Sequence, residues 1–96
     1  MILRVVRELV RAEHVAGYEP VVRASVAQHL VGRPGLVNHW LGRPVDGGRE
    51  WVVASLWADL DAVRAFAGER WQEIVLNNEQ RAMLEESWVH HYEVDA

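Results

Sequence analysis

Apolar residues dominate from Ile2 to Val10, and the Val, Ile and Leu content favours a strand. With a two-residue period, Arg4, Val6 and Glu8 share one face of that strand and Arg7 takes the other. From Ala12 to Leu30 the spacing changes. Val15, Tyr18, Val22 and Val26 recur at steps of three and four, as on one helix face. Pro20 interrupts the pattern, so either the helix kinks there or its regular part starts near Glu19. The segment Val31-Gly32-Arg33-Pro34-Gly35 supplies the stop.

Leu36 to Leu41 and Trp51 to Trp57 read as two strands joined by the turn residues Pro44-Val45-Asp46-Gly47-Gly48, hence an antiparallel hairpin. Asp59 is placed to cap a short second helix with Leu60, Val63 and Phe66 inward and Gly68 as terminator. A further helical stretch is expected from about Arg70 to Glu86, broken near Asn77-Asn78, and Trp88 to Val94 forms the last strand. The order β-α-β-β-α-β is the ferredoxin-like plan of the α+β class: a four-stranded antiparallel sheet with its helices on one face. In Trp51 to Trp57 both alternating sets of side chains are apolar, so both faces should be covered. The helices cover one. A second copy of the chain, sheet against sheet, is the expected cover of the other, which predicts a homodimer.

Ninety-six residues, half of them hydrophobic, make one domain over residues 1–96. Fourteen acidic residues against ten basic ones, all of the latter Arg, give a net charge of -4, which disfavours nucleic acid as a partner. No cysteine is present, so thiolate chemistry and Cys-based metal sites are excluded. Charges interrupt the N-terminal apolar residues too early for a signal peptide, and no apolar run is long enough to span a membrane, so a cytoplasmic location is expected. His90 and His91 diverge to opposite faces of a strand, so no metal site is expected there or elsewhere.

Tryptophans at 40, 51, 57, 71 and 88 offer flat walls to a flat ligand, or large fillers to a core. Ser55 shares a strand face with Trp57 and can hydrogen-bond a substrate oxygen; without a His and Asp arranged beside it, it is not a nucleophile. Arg4 can stabilise an anion, or simply pair with Glu8 or a helix carboxylate. Asn38 and Trp40 face one way and His39 the other; His39 is the candidate general base.

Ser55-Leu56-Trp57, leading through Asp59 and Asp61 into Val63-Arg64-Ala65-Phe66-Ala67-Gly68, together with the ending His91-Tyr92-Glu93-Val94, resembles the antibiotic biosynthesis monooxygenase family over essentially the whole chain. The resemblance implies a dimeric αβ-barrel with a small-molecule cavity between each sheet and its helices. Some members oxygenate aromatic or polyketide substrates without metal or flavin, and others bind and degrade haem. Trp57 matches a tryptophan that lines the cavity, but the Asn four residues before it in the quinone-forming oxygenases is Val53 here. The Asn and His of the haem-degrading members correspond to Val6 and about Val75. The expected function is therefore a cofactor-independent monooxygenase acting on a small aromatic or polyketide-like compound, with no cofactor. Trp57, Ser55, Trp71 and Asn38 would contact the substrate, His39 would accept a proton and Arg4 would stabilise charge. The alternative is a non-catalytic protein that binds a small hydrophobic ligand in the same cavity; an isomerase or lyase would need only an acid-base group.

Overall fold

A computed structural model of the chain describes residues 1–95; Ala96, the end of the expected domain, lies outside the described residues. Strand β1 (Ile2–Val10) leads through a 3-10 segment (Ala12–Gly17) into helix α1 (Tyr18–His29). The hairpin follows as β2 (Leu36–Gly42) and β3 (Glu50–Trp57), then α2 (Leu60–Ala67), α3 (Asn78–Met83) and β4 (Leu84–Glu93). The sheet order is β2-β3-β1-β4 and every neighbouring pair is antiparallel, the ferredoxin-like arrangement.

Pro20 does not kink a long helix. It is the third residue of α1, where its missing N–H belongs to the first turn, whose donors have no helical partner; the residues before Tyr18 wind more tightly. The expected helix from Arg70 to Glu86 shrinks to the six residues of α3. Gly68, at φ 80, ends α2, and Asn77 starts α3 with a reciprocal capping box to Gln80. Between them the carbonyls of Trp71 and Glu73, which a helix would have used internally, accept hydrogen bonds from Arg4. β4 accordingly begins at Leu84 rather than Trp88, its buried side chain pairing with Val10 after a register irregularity beside Leu9.

On the inner, helix-bearing face, Arg4 lies opposite Ser55 on one side and His91 on the other, and Ser55 lies opposite His39, so these four residues form one rung across the sheet. The core around this face includes Val10, Tyr18, Val22, Trp51, Trp57 and Val63. Gly35 fits here because its φ is 83 and a side-chain carbon on it would sit 2.5 Å from that of Ala62. The outer face presents Leu3, Val5, Val52 and Leu56, half-buried, flanked by Trp40 and Tyr92, about half exposed. No helix among the described residues covers it.

Candidate functional site

A cavity of about 50 Å³ lies between the inner face and the helices. The sheet contributes Arg4, Val6, Glu8, Val53 and Ser55; the helices contribute Ser25, His29, Phe66 and Gln80 among others, and Val75 comes from the irregular segment before α3. That volume holds a few water molecules; drug-sized ligands occupy several hundred Å³.

Arg4 is 2 % exposed. Its Nη1 donates to the Trp71 carbonyl at 2.5 Å and to His91 Nε2 at 2.8 Å, and its Nη2 donates to the Glu73 carbonyl at 2.8 Å. A guanidinium only donates, so His91 accepts through Nε2 and is neutral. Among the described residues no carboxylate comes within ion-pair distance of Arg4. Burial lowers its pKa to about 10, and holds His91 below the usual imidazole value, with the charge of Arg4 adding to the effect. The ring of Phe66 lies 5.8 Å from the guanidinium carbon, and Trp71 meets His91 edge-on at 4.9 Å. Arg4 therefore ties the segment between α2 and α3 to the sheet.

Glu8, also 2 % exposed, accepts a 2.6 Å hydrogen bond from the Tyr18 hydroxyl. Burial raises the Glu8 pKa against the opposing pull of that bond, and raises the Tyr18 pKa as well. Tyr18 in turn accepts from Gln80 Nε2 at 3.4 Å. Gln80 Oε1 accepts from Ser25 Oγ at 2.9 Å and from the Asn77 N–H, which fixes which end of the amide is oxygen. Ser25 Oγ lies 3.3 Å from His29 Nδ1, and that nitrogen lies 3.0 Å from the Ser25 carbonyl.

The sequence-derived candidates are distributed unevenly around this space. Arg4 and Ser55 line the cavity. Trp57 is fully buried, stacks on Phe66 at 4.8 Å and donates from Nε1 to Ser55 Oγ at 2.9 Å, so it backs the wall through Ser55 and does not form it. Trp71 sits over the Arg4 and His91 end. His39 shares the inner face but is two strands from Arg4, in a separate groove with Arg23, Val26, Leu41 and Arg43. Asn38 pairs with Leu56 and so belongs to the outer face. The bulge at Val37, between the pairs Leu36 to Trp57 and Asn38 to Leu56, sets these facings. Position 53 is a valine in the cavity wall, and Val75 gives the opposite wall no ligating atom. Among the described residues no group of three His, Asp or Glu side chains could hold a metal ion.

The polar group around Glu8, Ser25, His29 and Gln80 was not anticipated. Its signal was present: Ser25 and His29 fall three residues after Val22 and Val26, polar residues inside an apolar stripe.

The family model for antibiotic biosynthesis monooxygenase matches residues 1–75 of the 96. The chain belongs to this family. No curated protein sequence matches it. The crystal structure of an antibiotic biosynthesis monooxygenase superposes with a TM-score of 0.77 over 100 % of both chains at 15 % identity. A mutant of SnoaB, a cofactor-independent oxygenase from Streptomyces nogalater, gives 0.75 at 24 % identity over 99 % of this chain and 93 % of that one. A mutant of MhuD, crystallised with two manganese protoporphyrin IX molecules per active site, gives 0.67 at 21 % identity over 98 % and 94 %. At these identities the likeness establishes the shared family fold.

Proposed function

We propose that this family member is a cofactor-independent monooxygenase that takes a small aromatic or polyketide-like phenol as its anion, bound at Arg4 in the cavity between sheet and helices. The buried guanidinium carries the reading. It has no carboxylate partner among the described residues, it borders the cavity, and a desolvated cation favours a negatively charged guest. Membership of a family of monooxygenases, and the shared fold with a cofactor-independent oxygenase, support the reaction class.

The chemistry balances without an external reductant. A phenolate such as that of 1-naphthol supplies the electrons itself: one oxygen atom of dioxygen enters the ring to give the 1,4-quinone, and the other leaves as water with the two hydrogens the substrate loses. The protein's part is to hold the anion, orient the ring and exclude water. Arg4 binds the oxygen, Ser55 stands beside it on the same rung, and Phe66 and Trp71 flank that end. Because the cavity is about 50 Å³, a bicyclic ring enters only when the segment between Gly68 and Asn77 withdraws and the guest's oxygen takes over from the carbonyls of Trp71 and Glu73. The working unit is a homodimer of this single domain, with the apolar outer sheet faces packed together.

Oxygen uptake with 1-naphthol and 1,5-dihydroxynaphthalene tests the reading. The expected result is one dioxygen consumed per quinone formed, with a loss of at least tenfold in Arg4→Gln. A naphthol that binds and is recovered unchanged, with no oxygen consumed, would make the protein a ligand-binding member of the family instead.

A further inference from the structure

The proposed reaction needs a base that removes the phenol proton, and His39 does not border the cavity. We infer that His29 is that base, acting through Nε2. That role rests on the proposed function; the state of the ring follows from the hydrogen bonds alone.

His29 closes α1 and lines the cavity. Its Nδ1 lies 3.0 Å from the Ser25 carbonyl, which can only accept, so the proton of the neutral ring is on Nδ1. Ser25 Oγ, 3.3 Å away, has already given its own hydrogen to Gln80 Oε1, so it too can only accept from Nδ1. Gln80 cannot be turned around, because Oε1 also receives the Asn77 N–H. Its Nε2 therefore donates to Tyr18, and Tyr18 donates to Glu8. Every donor in the series from His29 to Glu8 points the same way, toward the buried carboxyl. Nε2 is left unprotonated, and among the described residues no side chain or backbone group takes it up. The ring lines the cavity, and Nε2 is the nitrogen it has left to offer a guest there.

The step is a proton transfer and nothing else. The substrate O–H bond breaks, its electron pair stays on oxygen as the phenolate held at Arg4, and the proton forms the Nε2–H bond of an imidazolium. Ser25, Gln80 and Tyr18 are positioning residues: they hold the ring in the tautomer that can accept. The anion site is on the sheet and the proton acceptor on the helix, and both border the one cavity in which the substrate oxygen would lie.

The first test is independent of turnover. Two-bond nitrogen-proton correlation spectra of the uniformly ¹⁵N-labelled full chain at pH 8, with the His29 ring assigned by its loss in His29→Gln, should show Nδ1 protonated and Nε2 bare. A proton on Nε2 would overturn the inference. The second test uses oxygen uptake with 1-naphthol. His29→Ala should lose about 100-fold in kcat, the scale of a lost general base, with KM little changed and partial rescue by added imidazole. Unchanged kcat overturns the assignment. If the wild-type protein consumes no oxygen, the oxygenase reading falls and the role of His29 as its base falls with it, while the spectra still decide whether Nε2 is bare.

Discussion

Replacing Arg4 by Met should loosen one segment of the protein far more than it destabilises the whole. The guanidinium pKa falls from 12.5 to about 10 on burial; at about 1.4 kcal/mol per pKa unit, holding the charged form inside costs about 3 kcal/mol. Against this stand its bonds to Trp71, Glu73 and His91, each worth roughly 1.5 to 3 kcal/mol when one partner is charged. Met fills similar space and removes both sides of the balance. The two carbonyls it abandons belong to an irregular surface segment and can regain water, so their loss falls at the lower end of that range. The net cost should be about 1 to 2 kcal/mol in urea unfolding. Amide exchange read by mass spectrometry should meanwhile show protection lost in peptides covering the segment between Gly68 and Asn77. Were Arg4 half of a buried ion pair, its removal would strand the other charge and cost about 3 to 5 kcal/mol. A global loss of that size, or unchanged protection in the segment, refutes the account of Arg4 as an unpaired cation that ties the segment down.

Glu8→Gln tests the other end of the cavity. A carboxyl whose folded pKa is raised contributes stability that is complete below its unfolded value of 4.5 and is lost as pH rises through the folded value. The variant should therefore match the wild type near pH 4 and be the more stable of the two at pH 8 by urea titration. His91 works in the opposite sense. Its lowered pKa makes its contribution complete above 6.5 and lost as pH falls through the folded value. His91→Asn should flatten that acid limb, and Arg4→Met should flatten it in part, because burial, the larger cause, remains. Gly35→Ala, which adds a left-handed alanine and a clash with Ala62, should cost roughly 2 to 4 kcal/mol in thermal or urea unfolding. Leu56→Arg on the outer face should halve the mass measured by sedimentation at micromolar concentration; a wild type that already sediments as a monomer would count against the dimer.

Much of the architecture was legible because it rests on local chemistry. The hairpin turn, the Asp59 cap and the alternation along the first and third strands each act within a few residues, and each appears in the structure. The stretch after Gly68 was misread because its backbone is shaped from a distance. Arg4 is 67 residues before Trp71 and captures the carbonyls a helix would have used. Asn38 and His39 show a different failure. Strand alternation separates them correctly, but only the bulge at Val37 decides which of them faces inward. The His29 group escaped notice for a third reason: its members come from β1, α1 and α3, and each alone reads as an imperfection in an apolar stripe.

Under the proposed function, these arrangements together bear on which guests the cavity would accept. In the closed protein the guanidinium is already satisfied by neutral carbonyls, so a guest must replace bonds that cost the protein something to break. A neutral phenol offers an oxygen no better than the carbonyls it displaces. A phenolate adds the attraction between opposite charges to bonds that the carbonyls make with the cation alone, and that attraction is strong where the wall excludes water. Ionisation and entry are then coupled: the proton must go to a base before the oxygen can outbid Trp71 and Glu73 for Arg4. His29, on the opposite wall and at the end of a series of donors that keeps Nε2 bare, is placed to take it. Selectivity for an acidic guest thus follows from the same bonds that hold the segment shut, and needs no residue dedicated to reading the rest of the molecule.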